Sequence, residues 1–170
     1  MQNFAGRHLV LDVQTTGSDS INSMEGVYAF FESITALLDM TLLFPPIVIR
    51  YPWASSELER VANSLNKAGN QQGAGLITEL LDRRREEECG ISGTAIWAES
   101  HCSFHSWTEK NFVSIDLYSC KDFDAVEATK HITQCFEVNT IQGLSITRSR
   151  LVPQVIQRIF CTGSGQVTIS

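Results

Sequence analysis

The sequence predicts an α+β protein built as a two-layer sandwich, with a mainly antiparallel sheet and helices packed on one face. About five segments show strand patterns, and three or four show the apolar periodicity of helices. The two central strands are joined by a short connection, which favours antiparallel neighbours. The 170 residues, 43% of them apolar, suffice for one domain with a substantial core. We therefore expect residues 1–170 to form a single domain.

The first half of the chain alternates strand and helix patterns. Residues 7–14 alternate apolar and polar side chains, which predicts a strand. Residues 22–38 open with the capping-box-like pair Asn22 and Glu25 and carry one apolar stripe, which predicts a helix. Residues 40–51 are dense in apolar residues and predict a strand that Pro45-Pro46 interrupts.

The next segments are more polar. Residues 55–65 predict a short helix, residues 66–75 a Gly-rich loop, and residues 76–88 a helix that ends in a charged block. The second half adds five elements: strands at 90–97, 111–120 and 144–151, and helices at 124–136 and 152–160. The Gly/Ser-rich tail is expected to be loose.

Charge and cysteine content narrow the class of protein. A formal net charge of −6 argues against a nucleic-acid partner. Five cysteines without paired spacing favour a reducing compartment. The first residues lack a signal-peptide layout, and no apolar run approaches the roughly 20 residues of a membrane span. We therefore expect a cytoplasmic protein without a membrane or nucleic-acid partner.

Residues 98–109, between the two central strands, concentrate reactive side chains, with a serine, two histidines, a cysteine, an indole and two carboxylates among them. His101 and His105 at i and i+4 could ligate a metal with Cys102 or Cys120, but no CxxC or HExxH is present, and we predict no metal site. Ser100 lacks the glycine-flanked elbow of α/β-hydrolases.

Two further interpretations of these side chains remain open. Cys120 with a histidine could act as an acyl-transfer nucleophile, although nothing in the spacing selects that chemistry. Alternatively, His101, His105 and Cys120 could simply fill space, because buried cysteines and histidines usually have structural roles.

The same region resembles the prokaryotic S-adenosylmethionine decarboxylases. Residues 6–10 resemble the family's opening strand. Four further segments carry the resemblance: Gly90-Ile91-Ser92-Gly93, Ala98-Glu99-Ser100-His101, His105-Ser106-Trp107-Thr108-Glu109 and Asp116-Leu117-Tyr118-Ser119-Cys120. The spacing from serine to histidine to glutamate to cysteine is that of the family. The resemblance covers roughly residues 6–14 and 90–137.

The resemblance implies a zymogen that cleaves itself between Glu99 and Ser100. The products would be a β chain, residues 1–99, and an α chain, residues 100–170, whose first residue becomes a pyruvoyl group. This covalent cofactor would form a Schiff base with the substrate amine and accept the electrons released when CO2 leaves. The family's pattern assigns processing roles to Ser92 and His105. It leaves His101 without a clear role, with packing or an outer hydrogen bond as the alternatives.

The family's pattern also implies roles in substrate turnover. Cys120 stands at the position of the proton donor, and a thiol is mostly protonated at neutral pH. Glu109 matches the acceptor of the ribose hydroxyls. Tyr51, or alternatively Trp53, is expected to stack on the adenine, and an aromatic face also attracts the sulfonium cation. The resemblance further implies a homodimer and a role in spermidine and polyamine biosynthesis.

Departures from the family's pattern leave the substrate open. Thr108 replaces a usual proline, Lys110-Asn111 replaces a glycine-containing pair, and residues 53–89 are an insertion relative to the family. The alternative substrates are ornithine and arginine. A second alternative is that the protein is a homologue that never cleaves itself and acts as a binding partner. Since strand side chains alternate with period two, Ser100 and His105 in one site require a bulge, a turn or the cut between them.

Overall fold

The computed structural model describes residues 5–51, 55–85, 89–149 and 154–170. Within these ranges eight strands form one antiparallel sheet. The strands are β1 (Ala5–Thr15), β2 (Ile47–Tyr51), β3 (Gly90–Trp97), β4 (Ser100–Trp107), β5 (Phe112–Ser119), β6 (Val138–Ser149), β7 (Val155–Thr162) and β8 (Val167–Ile169). The helices are α1 (Met24–Leu37), α2 (Ser55–Lys67), α3 (Gln71–Arg85) and α4 (Ala125–Cys135). The order in the sheet is β2-β3-β4-β5-β1-β6-β7-β8.

One face of the sheet carries the core and the other is open. In β1 the residues Leu9, Leu11 and Val13 are fully buried and belong to the same apolar cluster as α1 and α4. The alternate residues of β1, such as Val10, lie on the open face, as the period of two requires. The predicted α+β sandwich with helices on one face is therefore confirmed.

Helix α1 begins one residue later than the capping-box pattern predicted. The side chain of Ser23, not of Asn22, accepts a hydrogen bond from the Gly26 N–H at 2.9 Å. Asn22 instead ends a short 3-10 turn, and its side-chain oxygen accepts a hydrogen bond from Arg50. The predicted apolar stripe is correct, because Val27, Phe30, Phe31 and Ile34 are all buried.

Two assignments in the first half differ from the prediction. The strand predicted over 40–51 is β2 alone, after the two prolines, and only Leu42 upstream makes an isolated bridge, to Trp97. The predicted loop over 66–75 is mostly helix, since α3 starts at Gln71 and the Asn70 side chain accepts from the Gly73 N–H at 2.9 Å. Packing of α3 on α2 outweighs the low helix propensity of its glycines.

Two elements in the second half were assigned wrongly. The predicted connection over 98–109 is mostly a strand, β4, which pairs with β3 and β5. The helix predicted over 152–160 is replaced by β7, and β8 gives the expected loose tail a regular pairing. Residues 152 and 153 lie outside the described ranges. In the part of the chain that is described, no helix is long and apolar enough to cross a membrane.

Candidate functional site

The residues predicted for the site divide between the two ends of β4. Glu99, Ser100 and Cys120 lie at its first residue, and Ser92 and His105 lie towards its end. His105 is five residue steps along the strand from Ser100, which is about 16 Å at the usual rise of a strand. We call the first group the cleavage end and the second group the histidine-pair end.

The cleavage end begins with a peptide carbonyl held by hydrogen bonds. The Glu99 carbonyl oxygen accepts from the Cys120 N–H at 3.0 Å, and the Glu99 carboxylate accepts from the Thr41 N–H at 3.0 Å. The Thr41 amide lowers the pKa of the Glu99 carboxyl below its usual value. The Ala98 N–H in turn donates to the Thr41 carbonyl at 2.9 Å. The carbonyl carbon between Glu99 and Ser100 is therefore fixed and polarised.

Ser100 itself has a strained backbone. Its φ is 152°, a value that residues with a Cβ rarely adopt. Neighbouring side chains of a strand normally point to opposite faces, but here Ser100 Oγ lies 3.1 Å from His101 Nδ1, in hydrogen-bond contact. The hydroxyl that the family's pattern makes a nucleophile is therefore paired with an imidazole.

His101 belongs to a row of polar side chains on the open face. Its Nε2 lies 3.7 Å from Asp116 Oδ1, and His8 Nε2 lies 2.8 Å from the same oxygen. Tyr118 lies between the two imidazoles in the sheet, opposite His8 on β1 and opposite His101 on β4. The Arg148 guanidinium sits 4.5 Å from the centre of the Tyr118 ring. The row places one carboxylate within reach of two histidines.

Cys120 directly follows β5 and lies at the cleavage end. Its neighbour Ser119 is paired with Ser100 across β4 and β5. The thiol is free and exposed, as the role of proton donor requires.

The histidine-pair end is built from side chains on regular strands. Ser92 Oγ and His105 Nδ1 lie 2.6 Å apart, on residues that are directly opposite each other in β3 and β4. The Trp107 ring packs edge-on against the His105 ring at 4.4 Å. Burial lowers the pKa of His105, so its imidazole is neutral at pH 7 and available as a base.

The predicted substrate-binding residues lie towards this second end. Glu109 is exposed in a 3-10 turn, Thr108–Lys110, directly after β4. The backbone of Tyr51 pairs with Gly90 at the start of β3. The Tyr51 side chain and Trp53 lie outside what the structure describes, so the adenine-stacking role stays a prediction. Among the described residues no cluster of three or more His, Cys, Asp or Glu could hold a metal ion.

Of the three features expected between Ser100 and His105, a bulge and a turn are absent, while the cut stays a prediction. The pairing of β4 with both neighbours runs without a register shift from Ser100 to Trp107. The irregular residue is Ser100 itself. Sequence reasoning also missed the Cys120 amide and the Asp116 carboxylate as neighbours of the cleavage end. The alternation of β5, which puts Asp116 on the open face, was the available signal for the carboxylate.

Comparisons with known proteins identify the family of this chain. A family model described as S-adenosylmethionine decarboxylase matches residues 52–149, more than half of the chain. This range contains both ends of the site but not the opening strand. A protein from Bacillus velezensis named S-adenosylmethionine decarboxylase proenzyme is 35% identical over 68 residues, or 40% of this chain and 54% of that protein. A proenzyme of the same name from Thermotoga petrophila is 26% identical over 94 residues, or 55% of this chain and 71% of that protein.

A solved structure shows the same fold. The crystal structure of the adenosylmethionine decarboxylase from Aquifex aeolicus VF5 superposes with a TM-score of 0.55 at 18% identity, over 89% of this chain and 95% of that chain. The sequence match spans only about half of the Bacillus protein. With the family model covering the larger part of its length, the chain belongs to the S-adenosylmethionine decarboxylase family.

Proposed function

We propose that this protein is a self-processing S-adenosylmethionine decarboxylase whose pyruvoyl group arises from Ser100. One observation carries the proposal. At the Glu99–Ser100 bond, the serine hydroxyl contacts an imidazole while the carbonyl to be attacked accepts a hydrogen bond from the Cys120 amide. A nucleophile, a base and an oxyanion donor at one peptide bond are the parts that acyl transfer needs.

The cleavage needs only groups of this chain and one water molecule. Ser100 Oγ attacks the Glu99 carbonyl carbon, a C–O bond forms, the C–N bond breaks, and the hydroxyl proton ends on the freed amine. A base, proposed to be His105, then takes the Ser100 Cα proton, the C–O bond at Cβ breaks, and the α-carboxylate of Glu99 leaves, which gives dehydroalanine. Its imine form is hydrolysed by water, which releases ammonia and leaves the pyruvoyl group at the start of residues 100–170. The strain at Ser100 is relieved when its peptide bond is cut.

The described residues fit a pyruvoyl group at position 100, because its precursor hydroxyl contacts an imidazole and the adjoining Glu99 carbonyl accepts a hydrogen bond from the Cys120 N–H. The group supplies an electron sink for the loss of CO2 from an amino acid. The exposed Cys120 thiol, next to Ser119 on the strand paired with Ser100, holds the proton that is given to the substrate carbon. Glu109 is proposed to accept from the ribose hydroxyls and Tyr51 to stack on the adenine.

The division of the site supports a homodimer. His105 on β4, with Ser92 opposite it on β3, is about 16 Å from Ser100 by strand geometry, which is too far to reach Ser100 of the same chain. The open face also exposes apolar side chains of three adjacent strands: Val10, Leu144 and Phe160. Exposed apolar patches of this kind often mark interfaces. We propose that the Ser92–His105 pair of one protomer completes the site around Ser100 of its partner.

Mass spectrometry under denaturing conditions tests the cleavage. We expect two chains, one ending at Glu99 and one whose first residue resists Edman degradation because it lacks an amine. Ser100→Ala should remain one chain of 18.9 kDa. A wild-type protein that stays intact after prolonged incubation contradicts the proposal.

Release of labelled CO2 tests the substrate. The purified, cleaved protein is incubated with carboxyl-labelled S-adenosylmethionine, ornithine or arginine, and release from S-adenosylmethionine alone is expected. The product, decarboxylated S-adenosylmethionine, is an aminopropyl donor for spermidine and polyamine biosynthesis. Release from a basic amino acid instead would reassign the substrate, and inactivity on all three would contradict decarboxylation.

A further inference from the structure

We infer that His101, held by Asp116 and His8, is the general base for the first step of self-cleavage, the attack of Ser100 Oγ on the Glu99 carbonyl. This inference rests on the proposed function and adds to it a residue to which the family's pattern gives no role. The first observation is contact: His101 Nδ1 is 3.1 Å from the nucleophilic oxygen. A general base must be within such reach of the proton that it removes.

The second observation is the orientation of the His101 ring. Its Nδ1 faces the hydroxyl, and its Nε2 faces the Asp116 carboxylate at 3.7 Å. This distance is longer than a hydrogen bond but within the range of an ion pair. A carboxylate on that side favours the tautomer with the proton on Nε2, which leaves the Nδ1 lone pair free to accept the hydroxyl proton. It also stabilises the imidazolium that forms during attack.

The third observation is that the carboxylate is itself fixed. His8 Nε2 contacts Asp116 Oδ1 at 2.8 Å, so the oxygen that faces His101 is held from the opposite strand. The Tyr118 ring contacts both imidazoles, with centroids 5.6 Å from His8 and 6.1 Å from His101. Asp116 and His8 are therefore positioning residues, whereas His101 touches the reacting atom.

The fourth observation is that the other partners of the reaction are in place around the same bond. The Cys120 N–H is already hydrogen-bonded to the Glu99 carbonyl oxygen, where negative charge develops during attack. The His105 imidazole is about 16 Å away along β4 and cannot contact this hydroxyl in the same chain. Within one chain, His101 is the imidazole in hydrogen-bond contact with Ser100.

The step balances with these groups alone. As the C–O bond forms, the Ser100 hydroxyl proton passes to His101 Nδ1. As the C–N bond breaks, the same proton passes from Nδ1 to the amine nitrogen of Ser100. An ester and a free amine result, and His101 returns to its neutral form.

The test compares His101→Ala with His131→Ala, a histidine on α4 that contacts Ser33 and Cys135 rather than the cleavage end. We expect His101→Ala to slow cleavage by about 10²- to 10⁴-fold and His131→Ala to leave it unchanged. Because the His101 side chain is 45% exposed, added imidazole can enter the space it leaves and should restore part of the rate. Rescue by imidazole is a readout that a purely structural role would not give.

Hydroxylamine separates the two steps, because it cleaves esters and not ordinary peptide bonds. His101→Ala should accumulate no ester, so hydroxylamine should not produce the two chains. Asp116→Asn should slow cleavage on the order of tenfold, and Asp116→Glu should recover much of that loss. Circular dichroism of each variant verifies that the sheet is retained.

Three results overturn the inference while leaving self-cleavage intact. They are a wild-type cleavage rate in His101→Ala, a slowed rate that imidazole does not raise, and an ester that hydroxylamine captures in this variant. Failure of the wild-type protein to cleave would instead contradict the proposed function itself. The two failures are therefore distinguishable in one experiment.

Discussion

The two ends of β4 are built on opposite principles. At the cleavage end the backbone is strained, with a φ of 152° at Ser100, and the contacts run through main-chain groups of Glu99 and Cys120. At the histidine-pair end the backbone is regular, and a side-chain pair, Ser92 and His105, lies directly across two strands. Backbone strain therefore lies beside the bond that is proposed to break, while the proposed acid–base pair lies on regular strands.

Complementation between two inactive variants gives the largest expected effect. Ser100→Ala and His105→Asn should each fail to cleave when expressed alone. If the two ends meet across a dimer, co-expression should restore cleavage of the His105→Asn chain, because a Ser100→Ala partner still carries His105. A size tag on one chain identifies the cleaved species by mass spectrometry.

The same experiment can contradict a site that is shared between two protomers. Complete absence of cleavage in the verified mixed dimer would mean that both ends act within one chain after a rearrangement. Co-expression of His105→Asn with the double variant Ser100→Ala/His105→Asn, a pair that retains Ser100 but lacks His105 in both chains, is the control that must stay uncut.

Replacement of the Cys120 thiol should separate the two reactions of the cleavage end. Cys120→Ser keeps the backbone N–H on the Glu99 carbonyl, so cleavage should proceed at close to the normal rate. Decarboxylation should fall about 10²-fold or more, because a hydroxyl is a much weaker acid than a thiol. Cys89→Ser, at another exposed free cysteine, is the matched control. An equal loss of both reactions in Cys120→Ser would show that the thiol acts in processing.

Gly90→Ala should disturb the histidine-pair end alone. A Cβ at this position would lie 1.8 Å from the Ser106 carbonyl oxygen, so β3 and β4 must separate there. We expect the free energy of unfolding to fall by about 1–3 kcal/mol in urea titrations. Gly75→Ala, in α3 with nothing within 4 Å, should instead gain roughly 0.5–1 kcal/mol. A neutral Gly90→Ala would mean that the two strands do not approach so closely.

The smallest effect is a dependence of stability on pH. Burial lowers the pKa of His105 and of His131 in the folded protein. At a pH between the folded and the unfolded pKa of each histidine, the unfolded chain therefore binds more protons than the folded one. The free energy of unfolding should therefore decrease as the pH falls below about 6.5, the usual histidine pKa. Urea titrations from pH 7.5 to pH 5.5 measure this slope, which His105→Asn should reduce. An unchanged slope would contradict a buried, neutral His105.

The sequence predicts those elements whose signals are local. The alternation in β1 and β5 and the apolar stripe of α1 were sufficient for correct assignments, because each reports burial on one side. Strand β4 was mistaken for a connection because its open-face positions carry His101, His105 and other polar side chains. Strand β7 was mistaken for a helix because a proline at position 153 suits a helix start equally well.

The site was predictable only in part. The roles of its residues come from the resemblance, and their geometry comes from the pairing of strands that are distant in sequence. Ser100, His105 and Cys120 could be chosen by their spacing, and their roles remain proposals. The contact between His101 and Ser100 depends on one unusual φ, and the contact between His8 and Asp116 depends on strands 108 residues apart in the chain. Neither contact can be predicted from a local sequence pattern.

The order of the strands determines how the two fragments of the proposed cleavage would be connected. Residues 1–99 supply β1, β2 and β3, while residues 100–170 supply β4 to β8. Since β1 is inserted between β5 and β6, the fragments are interleaved within one sheet. Separating them would require breaking three ladders of main-chain hydrogen bonds, β3 with β4, β1 with β5 and β1 with β6, so the two fragments would stay together as one folded body. The proposed cleavage would therefore free the new chain ends without dissociating the two fragments.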